Sequence, residues 1–281
     1  MRTYSPLRKP DRLRRDFFHY ITSTVIMNET FTLLSDWRLR DPYVAILKGR
    51  IMNAFPGAAI VDITHYADKF DILQTAFAMK CSYKSFPEGS VHFILTNTTF
   101  TSSFDPVLLQ FDGHNFICDD NGVPFMMFGD SGALSGFKLN KSSGNSITDM
   151  LEIAEIIKDG SLGEKLHEYK DFKRLFVQKA EYSEENKTIE GQIVYIDAFN
   201  NAITNVLASK FKEMVKNRPF SAVIHSGGDW IIDRFSENYK PFDNEMFLTE
   251  NELGYIEIAS YQSDVSIIAD LNPYDRIVIT Y

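Results

Sequence analysis

The chain has 281 residues, of which 44% are hydrophobic and 24% are charged, so it can form one large folded domain or two ordinary ones. This composition excludes collagen-like, low-complexity and largely disordered chains, and no stretch approaches the roughly 18 consecutive apolar residues of a membrane-spanning helix. The formal net charge of -9 would repel a nucleic-acid backbone. We therefore predict neither a membrane nor a nucleic-acid partner.

Residues 1–26 differ in composition from the rest of the chain. Six arginine and lysine residues lie between positions 2 and 15, where Asp11 is the one acidic residue. A signal peptide also combines basic residues with an apolar stretch, but residues 17–26 contain His19 and several hydroxyl groups and lack a small-residue cleavage site. We interpret residues 1–26 as a basic extension outside the core.

Strands and helices are predicted to alternate through the first half of the chain. Residues 31–34 form an apolar strand, and Asp41 and Pro42 are typical of an N-cap and a first helical position. The segments that follow are predicted as strand 59–63, helix 72–83, strand 91–95, a hairpin of 107–111 with 115–118, and helix 148–158. Such alternation implies parallel crossover connections. The sequence therefore predicts an N-terminal α/β domain with a mainly parallel sheet.

The pattern changes in the second half. Residues 165–187 are highly charged and weakly periodic, which indicates a connector, and we place an N-terminal domain at 27–189 and a C-terminal domain at 190–281. Short β-like runs with turn residues between them then follow at 192–196, 222–225, 255–259 and 276–280. They predict a small C-terminal antiparallel β-barrel.

Asp36 follows the first predicted strand, at the edge of the sheet where open α/β proteins bind ligands. A carboxylate there can accept both hydroxyls of a ribose, whereas the alternative is a solvated loop carboxylate. Asp41 is better placed to cap its helix. Residues 119–122 contain two aspartates but lack the further spaced carboxylates of a calcium loop. We therefore interpret them as a turn with Gly122 at positive φ.

The six histidines and two cysteines show no zinc-binding spacing, so no metal site is predicted. His92 lies inside a predicted strand and is interpreted as a packed core histidine. Cys81 and Cys118 are lone thiols, which fit a reducing compartment, and we predict a cytoplasmic protein. The sequence also lacks a P-loop, a G-x-G-x-x-G and a G-x-S-x-G motif.

Several segments, taken in order, resemble the S-adenosyl-L-methionine (SAM) hydroxide adenosyltransferase family, which is related to SAM-dependent fluorinating and chlorinating enzymes. The segments that carry the resemblance are 33–37, 41–44, 48–49, 60–65, 86–92, 120–123, 195–205 and 254–259. The resemblance runs from about Phe31 to the C-terminus. It implies homotrimers in which a nucleoside site lies between the N-terminal domain of one subunit and the C-terminal domain of its neighbour.

The resemblance also assigns substrate-binding roles. Asp36 would hold the ribose diol, Phe70 would line the adenosine pocket, Asp197 would face the methionine ammonium, and Asn201 would bind adenine. The remaining members of the predicted substrate-binding set are Tyr43, Asn121 and Glu252. SAM would be a substrate, and no cofactor is predicted.

Hydrolytic members of this family resemble one another in positioning water with an Asp, an Arg and a His. The aligned positions here hold Asn97, Phe104 and Asn145 or Ser146, and Glu252 stands where the substrate carboxylate would bind. Asparagine cannot take a proton from water at neutral pH, and phenylalanine carries no charge. Three hypotheses remain. The first is an enzyme that cleaves SAM to adenosine and methionine, and the second is a non-catalytic or repurposed nucleoside-binding relative. The third is a halogenating enzyme, in which Ser146 would contact an anion.

Overall fold

The computed structural model gives the arrangement of most of the chain. It describes residues 29–98, 106–129, 134–175, 178–237 and 245–281. The predicted extension at 1–26 and the side chain of Phe104 lie outside the described residues. Within those ranges, no helix is long and apolar enough to cross a membrane.

The first of two sheets has seven strands in the order β2-β1-β3-β5-β4-β6-β7. Its strands are β1 (Thr30–Ser35), β2 (Ala59–Thr64), β3 (Val91–Leu95), β4 (Pro106–Phe111), β5 (His114–Asp119), β6 (Gly136–Leu139) and β7 (Leu166–Tyr169). Strands β2, β1, β3 and β5 run parallel, and β4, β6 and β7 extend the sheet antiparallel. The predicted parallel-rich sheet is confirmed.

Helices cover both faces of this sheet. They are α1 (Tyr43–Ala54), α2 (Ile72–Ser82), α3 (Val123–Phe128), α4 (Ser146–Asp159) and the short α5 (Leu162–Lys165). Leu33 packs in the core formed with α1 and α4, and Leu34 packs in the core formed with α2 and α3. Neighbouring residues of β1 are thus buried on opposite faces, which explains why Leu33 and Leu34 are both apolar.

The second sheet has nine strands and curls around a single apolar core. Its strands are β8 (Glu181–Ser183), β9 (Thr188–Ile196), β10 (Ala202–Leu207), β11 (Ser221–His225), β12 (Asp229–Ile232), β13 (Phe235–Ser236), β14 (Met246–Glu250), β15 (Tyr255–Ser260) and β16 (Arg276–Thr280). All described pairs are antiparallel except β13 with β14. Helices α6 (Ala208–Val215) and α7 (Val265–Ile268) also contribute to this core.

The structure differs from the sequence analysis in the charged stretch 165–187. This stretch contains β7 and β8, which are strands of the first and second sheet, and β9 also begins before residue 190. Both β7 and β8 are short, and most of their residues are at least partly exposed. Their apolar pattern is therefore too weak to indicate a strand.

The structure contradicts one predicted loop feature and confirms another. Helix α1 begins at Tyr43, and Pro42 occupies its N-cap without a side-chain hydrogen bond, so the predicted N-cap role of Asp41 is wrong. The helix starts one residue later than the Asp-Pro pair indicates. Gly122 has a φ of 112°, so the turn predicted there is confirmed, and α3 begins directly after it.

His92 is fully buried on β3, as predicted for a core histidine. Its Nδ1 lies 2.7 Å from Thr32 Oγ1, its Nε2 lies 3.1 Å from His114 Nδ1, and its ring stacks on Phe116 with centroids 4.9 Å apart. Burial, assisted by the neighbouring His114, lowers the pKa of His92 from 6.5 to about 4. The folded protein therefore holds this imidazole neutral at mildly acidic pH.

We expect this histidine to make the fold sensitive to acid. Between pH 6.5 and about 4 the unfolded chain protonates His92 and the folded chain does not, so the free energy of unfolding falls as pH is lowered through this window. The loss reaches up to ~3 kcal/mol. In His92→Gln, urea unfolding should depend less on pH across the same range. Identical pH dependence in the variant and the unmodified protein would contradict this assignment.

Candidate functional site

Asp36 lies at the carboxyl end of β1, the strand between β2 and β3. Its side chain is 7% exposed, and its Oδ2 accepts hydrogen bonds from the backbone N–H groups of Phe70 at 2.9 Å and Asn97 at 3.2 Å. No described residue donates a hydrogen bond to Oδ1. The loops that follow β1, β2 and β3 thus meet at one carboxylate.

Both donor residues have a left-handed backbone. Phe70 has a φ of 66° and Asn97 a φ of 56°. This region is uncommon for residues other than glycine and costs roughly 1–3 kcal/mol at each position. The surrounding structure holds two such residues beside Asp36, which directs their N–H groups at the carboxylate.

A chain of close polar contacts between side chains supports the residue before Asp36. Ser35 Oγ lies 2.7 Å from His65 Nδ1, and His65 Nε2 lies 3.1 Å from Asp62 Oδ1. Lys48 Nζ donates to Asp62 Oδ2 at 2.6 Å. Burial alone would raise the pKa of Asp62, but the hydrogen bonds from Lys48 and His65 hold it below its usual value. We call these four residues the Ser35 network.

The Ser35 network was not predicted, although residues 60–65 carried part of the family resemblance. The signal that reveals it is strand register. Leu33 pairs with Asp62 and Leu34 with Thr64 across the parallel strands β1 and β2. This register brings the histidine that follows β2 next to the serine that ends β1, thirty residues apart in the chain.

Aromatic side chains lie near Asp36. Trp37 Nε1 donates to the Thr98 carbonyl at 2.7 Å, and the edge of the Trp37 ring faces Tyr43 at a centroid distance of 6.2 Å. Tyr43 is 47% exposed, and Phe70 is 67% exposed. Their exposed rings offer apolar surface beside the carboxylate.

Asn121 is buried and stabilises the loop after β3. Its Nδ2 donates to the Thr96 carbonyl at 2.7 Å, and its Oδ1 accepts from the Val123 N–H at 3.2 Å. The side chain therefore joins that loop to the first residue of α3. A direct contact of Asn121 with substrate stays a prediction.

Asp197 and Asn201 close the loop between β9 and β10. Asp197 Oδ1 accepts from the N–H groups of Phe199 and Asn201, each at 2.8 Å, and its Oδ2 accepts from Asn201 Nδ2 at 3.2 Å. Two of the three residues predicted to bind substrate in the second half are thus in contact. Each also holds the conformation of the loop.

These residues line a groove of about 850 Å³, which we call the acidic groove. Its carboxylates are Asp197, Glu252, Glu257 and Asp264, and no lysine or arginine lines it in the described part of the chain. Phe199 is 78% exposed at its edge. Asp36 and Phe70 do not line this groove. The predicted site therefore consists of two half-sites, one in each half of the chain.

The residues at the predicted catalytic positions make different contacts. Asn97 contacts Asp36 through its backbone. Asn145 is the N-cap of α4, where its Oδ1 accepts from the Thr148 N–H and Oγ1, both at 3.0 Å, and Ser146 is the first, buried residue of that helix. In the described ranges, no three histidine, cysteine or acidic side chains are grouped to hold a metal ion.

Models of the two domains of one protein family match the two halves of the chain. The model of the SAM hydroxide adenosyltransferase N-terminal domain matches residues 31–158, and that of the C-terminal domain matches residues 191–278. An (R)-S-adenosyl-L-methionine hydrolase from Methanocaldococcus jannaschii is 24% identical over 90% of this chain and 96% of its own length. One from Thermus thermophilus is 40% identical over 58 residues, which are 21% of this chain and 23% of its own.

Solved structures share the fold. An uncharacterized conserved protein from Thermotoga maritima superposes with a TM-score of 0.76 at 20% identity, covering 90% of this chain and all of its own. A conserved hypothetical protein from Thermus thermophilus superposes with a TM-score of 0.68 at 21% identity, covering 89% of this chain and 99% of its own. At these identities the likeness establishes the architecture.

The Ser35 network should stabilise the protein measurably. His65 is 3% exposed, so His65→Ala leaves the buried Ser35 hydroxyl without its 2.7 Å partner and should lower the free energy of unfolding by roughly 1–3 kcal/mol. His225 also bonds an aspartate, Asp229, but at the surface, so His225→Ala should change stability by less than about 0.5 kcal/mol. Urea unfolding compares the two. Equal effects would show that the network adds nothing to stability.

Proposed function

Because the chain belongs to the SAM hydroxide adenosyltransferase family, we propose that it binds the adenosine part of SAM and that Asp36 accepts hydrogen bonds from the ribose hydroxyls. The observation that carries this proposal is the Asp36 carboxylate, fixed through Oδ2 by two backbone N–H groups. A carboxylate that is already oriented loses little entropy when a diol binds. Its position at the end of a central parallel strand is where ligands of open α/β sheets bind.

The acidic groove suits the opposite end of the same substrate. SAM carries a positive sulfonium and a positive ammonium, and a groove lined by four carboxylates and no described basic residue favours such cations. Glu252 is exposed in this groove and would repel the substrate carboxylate at close range. We therefore propose that the groove receives the methionine end of the ligand and that Glu252 weakens its affinity.

We propose that water attack on bound SAM is slow or absent. Hydrolysis forms a bond between water oxygen and the ribose C5′ while the C5′–sulfur bond breaks, so that methionine leaves with the electron pair and water loses a proton. The water must be held in line. Asn97 can orient water but cannot remove its proton, and the Asn145 side-chain oxygen already caps α4. A non-catalytic or repurposed nucleoside-binding protein is the alternative, supported by the same substitutions.

The two half-sites are separate within one chain, which supports a binding site that is shared between two subunits. Phe70 beside Asp36 and Phe199 beside the acidic groove are two of the most exposed apolar side chains in the described ranges. A ligand or partner that covered these side chains would remove apolar surface from water, which is favourable. We propose a homotrimer in the cytoplasm, in which the Asp36 half-site of one subunit meets the acidic groove of the next.

Asp36→Ala should weaken adenosine binding at least tenfold, or about 1.4 kcal/mol. The variant removes the oxygen that would accept the ribose hydroxyls and also the partner of two backbone N–H groups. Asp41→Ala is a matched control, because Asp41 is an exposed carboxylate nearby that caps no helix. Isothermal titration calorimetry should show unchanged affinity for the control. Equal affinities of the two variants for adenosine would exclude the role of Asp36.

Binding and turnover should separate in the unmodified protein. We expect measurable adenosine binding but adenosine release from SAM far slower than about 10 s⁻¹, the median turnover of enzymes. The combined change Asn97→Asp, Phe104→Arg and Asn145→His should raise release, and loss of the Asn145 cap should lower stability by about 1 kcal/mol. Chromatography of the products measures release. Rapid hydrolysis by the unmodified protein would contradict this proposal.

A further inference from the structure

A second cavity lies where the two halves of the chain meet, and we call it the junction cleft. It has a volume of about 790 Å³ and is lined by residues that include Phe77, Lys80, Arg174, Tyr182 and Tyr255. Helices α2 and α3 border it on one side, and strands β8, β9, β10 and β15 border it on the other. None of its described lining residues lines the acidic groove or belongs to the Asp36 half-site. The cleft is therefore a separate space.

The charge of the junction cleft is opposite to that of the whole protein. Lys80, Arg174 and Lys179 line it, and no described lining residue is acidic, although the chain has a net charge of -9. Lys80 and Arg174 form no ion pair with any described residue. Cations grouped in a concave space without carboxylates create a positive potential that attracts anions.

Part of the cleft wall is apolar. Leu73, Ala76 and Phe77 lie on one face of α2, at the spacing that brings side chains together on a helix. The Phe77 ring packs against Tyr195 at 5.7 Å and Tyr255 at 5.3 Å. A volume of about 790 Å³ falls within the roughly 300–1,000 Å³ of small-molecule sites. The space therefore fits the apolar body of a small organic molecule.

Two tyrosines add hydrogen-bond donors. The Tyr182 hydroxyl oxygen accepts from the Leu207 N–H at 2.9 Å, so its own proton is directed elsewhere. Burial raises the pKa of Tyr182 and of Tyr255, and both hydroxyls stay protonated at neutral pH. Such neutral hydroxyls can donate hydrogen bonds to an acceptor group of a ligand, and the cations of the cleft can attract its negative charge.

We propose that the junction cleft binds a small organic anion with an aromatic body and one acidic head group, a carboxylate, sulfonate or phosphate. Lys80 and Arg174 contact the head group, and the α2 face with Phe77 contacts the body. This ligand class differs from SAM, whose sulfonium and ammonium are cationic. The cleft is bordered by both halves of the chain, so the bound anion also stabilises their junction.

The probe for this site is 8-anilinonaphthalene-1-sulfonate, an aromatic anion whose fluorescence rises in apolar surroundings. The unmodified protein should bind one equivalent, and added salt should weaken binding. The double variant Lys80→Gln and Arg174→Gln should lower the affinity at least tenfold. Lys158→Gln is the control, because Lys158 is an exposed lysine of α4 that pairs with Glu29 outside the cleft. Its affinity for the probe should not change.

The uncharged analogue N-phenyl-1-naphthylamine tests the need for the head group. It should bind the unmodified protein more weakly than the sulfonate, and the double variant should lose this preference. Equal affinity for both probes, or an unchanged affinity of the double variant for the sulfonate, would overturn the proposal. Saturating adenosine should leave sulfonate binding intact, and competition between them would place the probe in the nucleoside site and overturn it as well.

Discussion

The contact between the Asp36 carboxylate and two backbone N–H groups is the constraint on which the candidate site depends. It exists because β1 lies between β2 and β3, so that three loops leave the same edge of the sheet. Two of those loops place a residue with positive φ, Phe70 or Asn97, against one oxygen of Asp36. The parallel topology therefore determines the position of the carboxylate.

The other candidate residues likewise stabilise the backbone around them. Asp197 and Asn201 close one loop, Asn121 joins two others, and Asn145 caps a helix. A loop held by its own polar side chains is ordered before a ligand arrives, which reduces the entropy lost on binding. At two of the three positions predicted to activate water the chain has asparagine, which cannot take a proton from water at neutral pH.

The sequence predicts the parts of the fold in which local pattern and burial agree. Strand β1 has consecutive apolar residues because both its faces are buried, and the short strands of the second half are separated by turn residues. The charged strands β7 and β8 give no such signal. The Ser35 network and the junction cleft depend on register and on packing between distant segments, so residues such as His65 and Lys80 carry no local sign of their surroundings. The sequence predicts a ligand-binding role for Asp36 because the end of a strand can be identified from the local pattern of residues.

The central claim is that Asp36 anchors a ribose through its two hydroxyls, and the most direct test compares two nucleosides on the unmodified protein. Isothermal titration calorimetry with adenosine and with 2′,3′-dideoxyadenosine varies only the diol. The account predicts that adenosine binds at least about tenfold more tightly, equivalent to about 1.4 kcal/mol. Equal affinities, or tighter binding of the dideoxy compound, would contradict it.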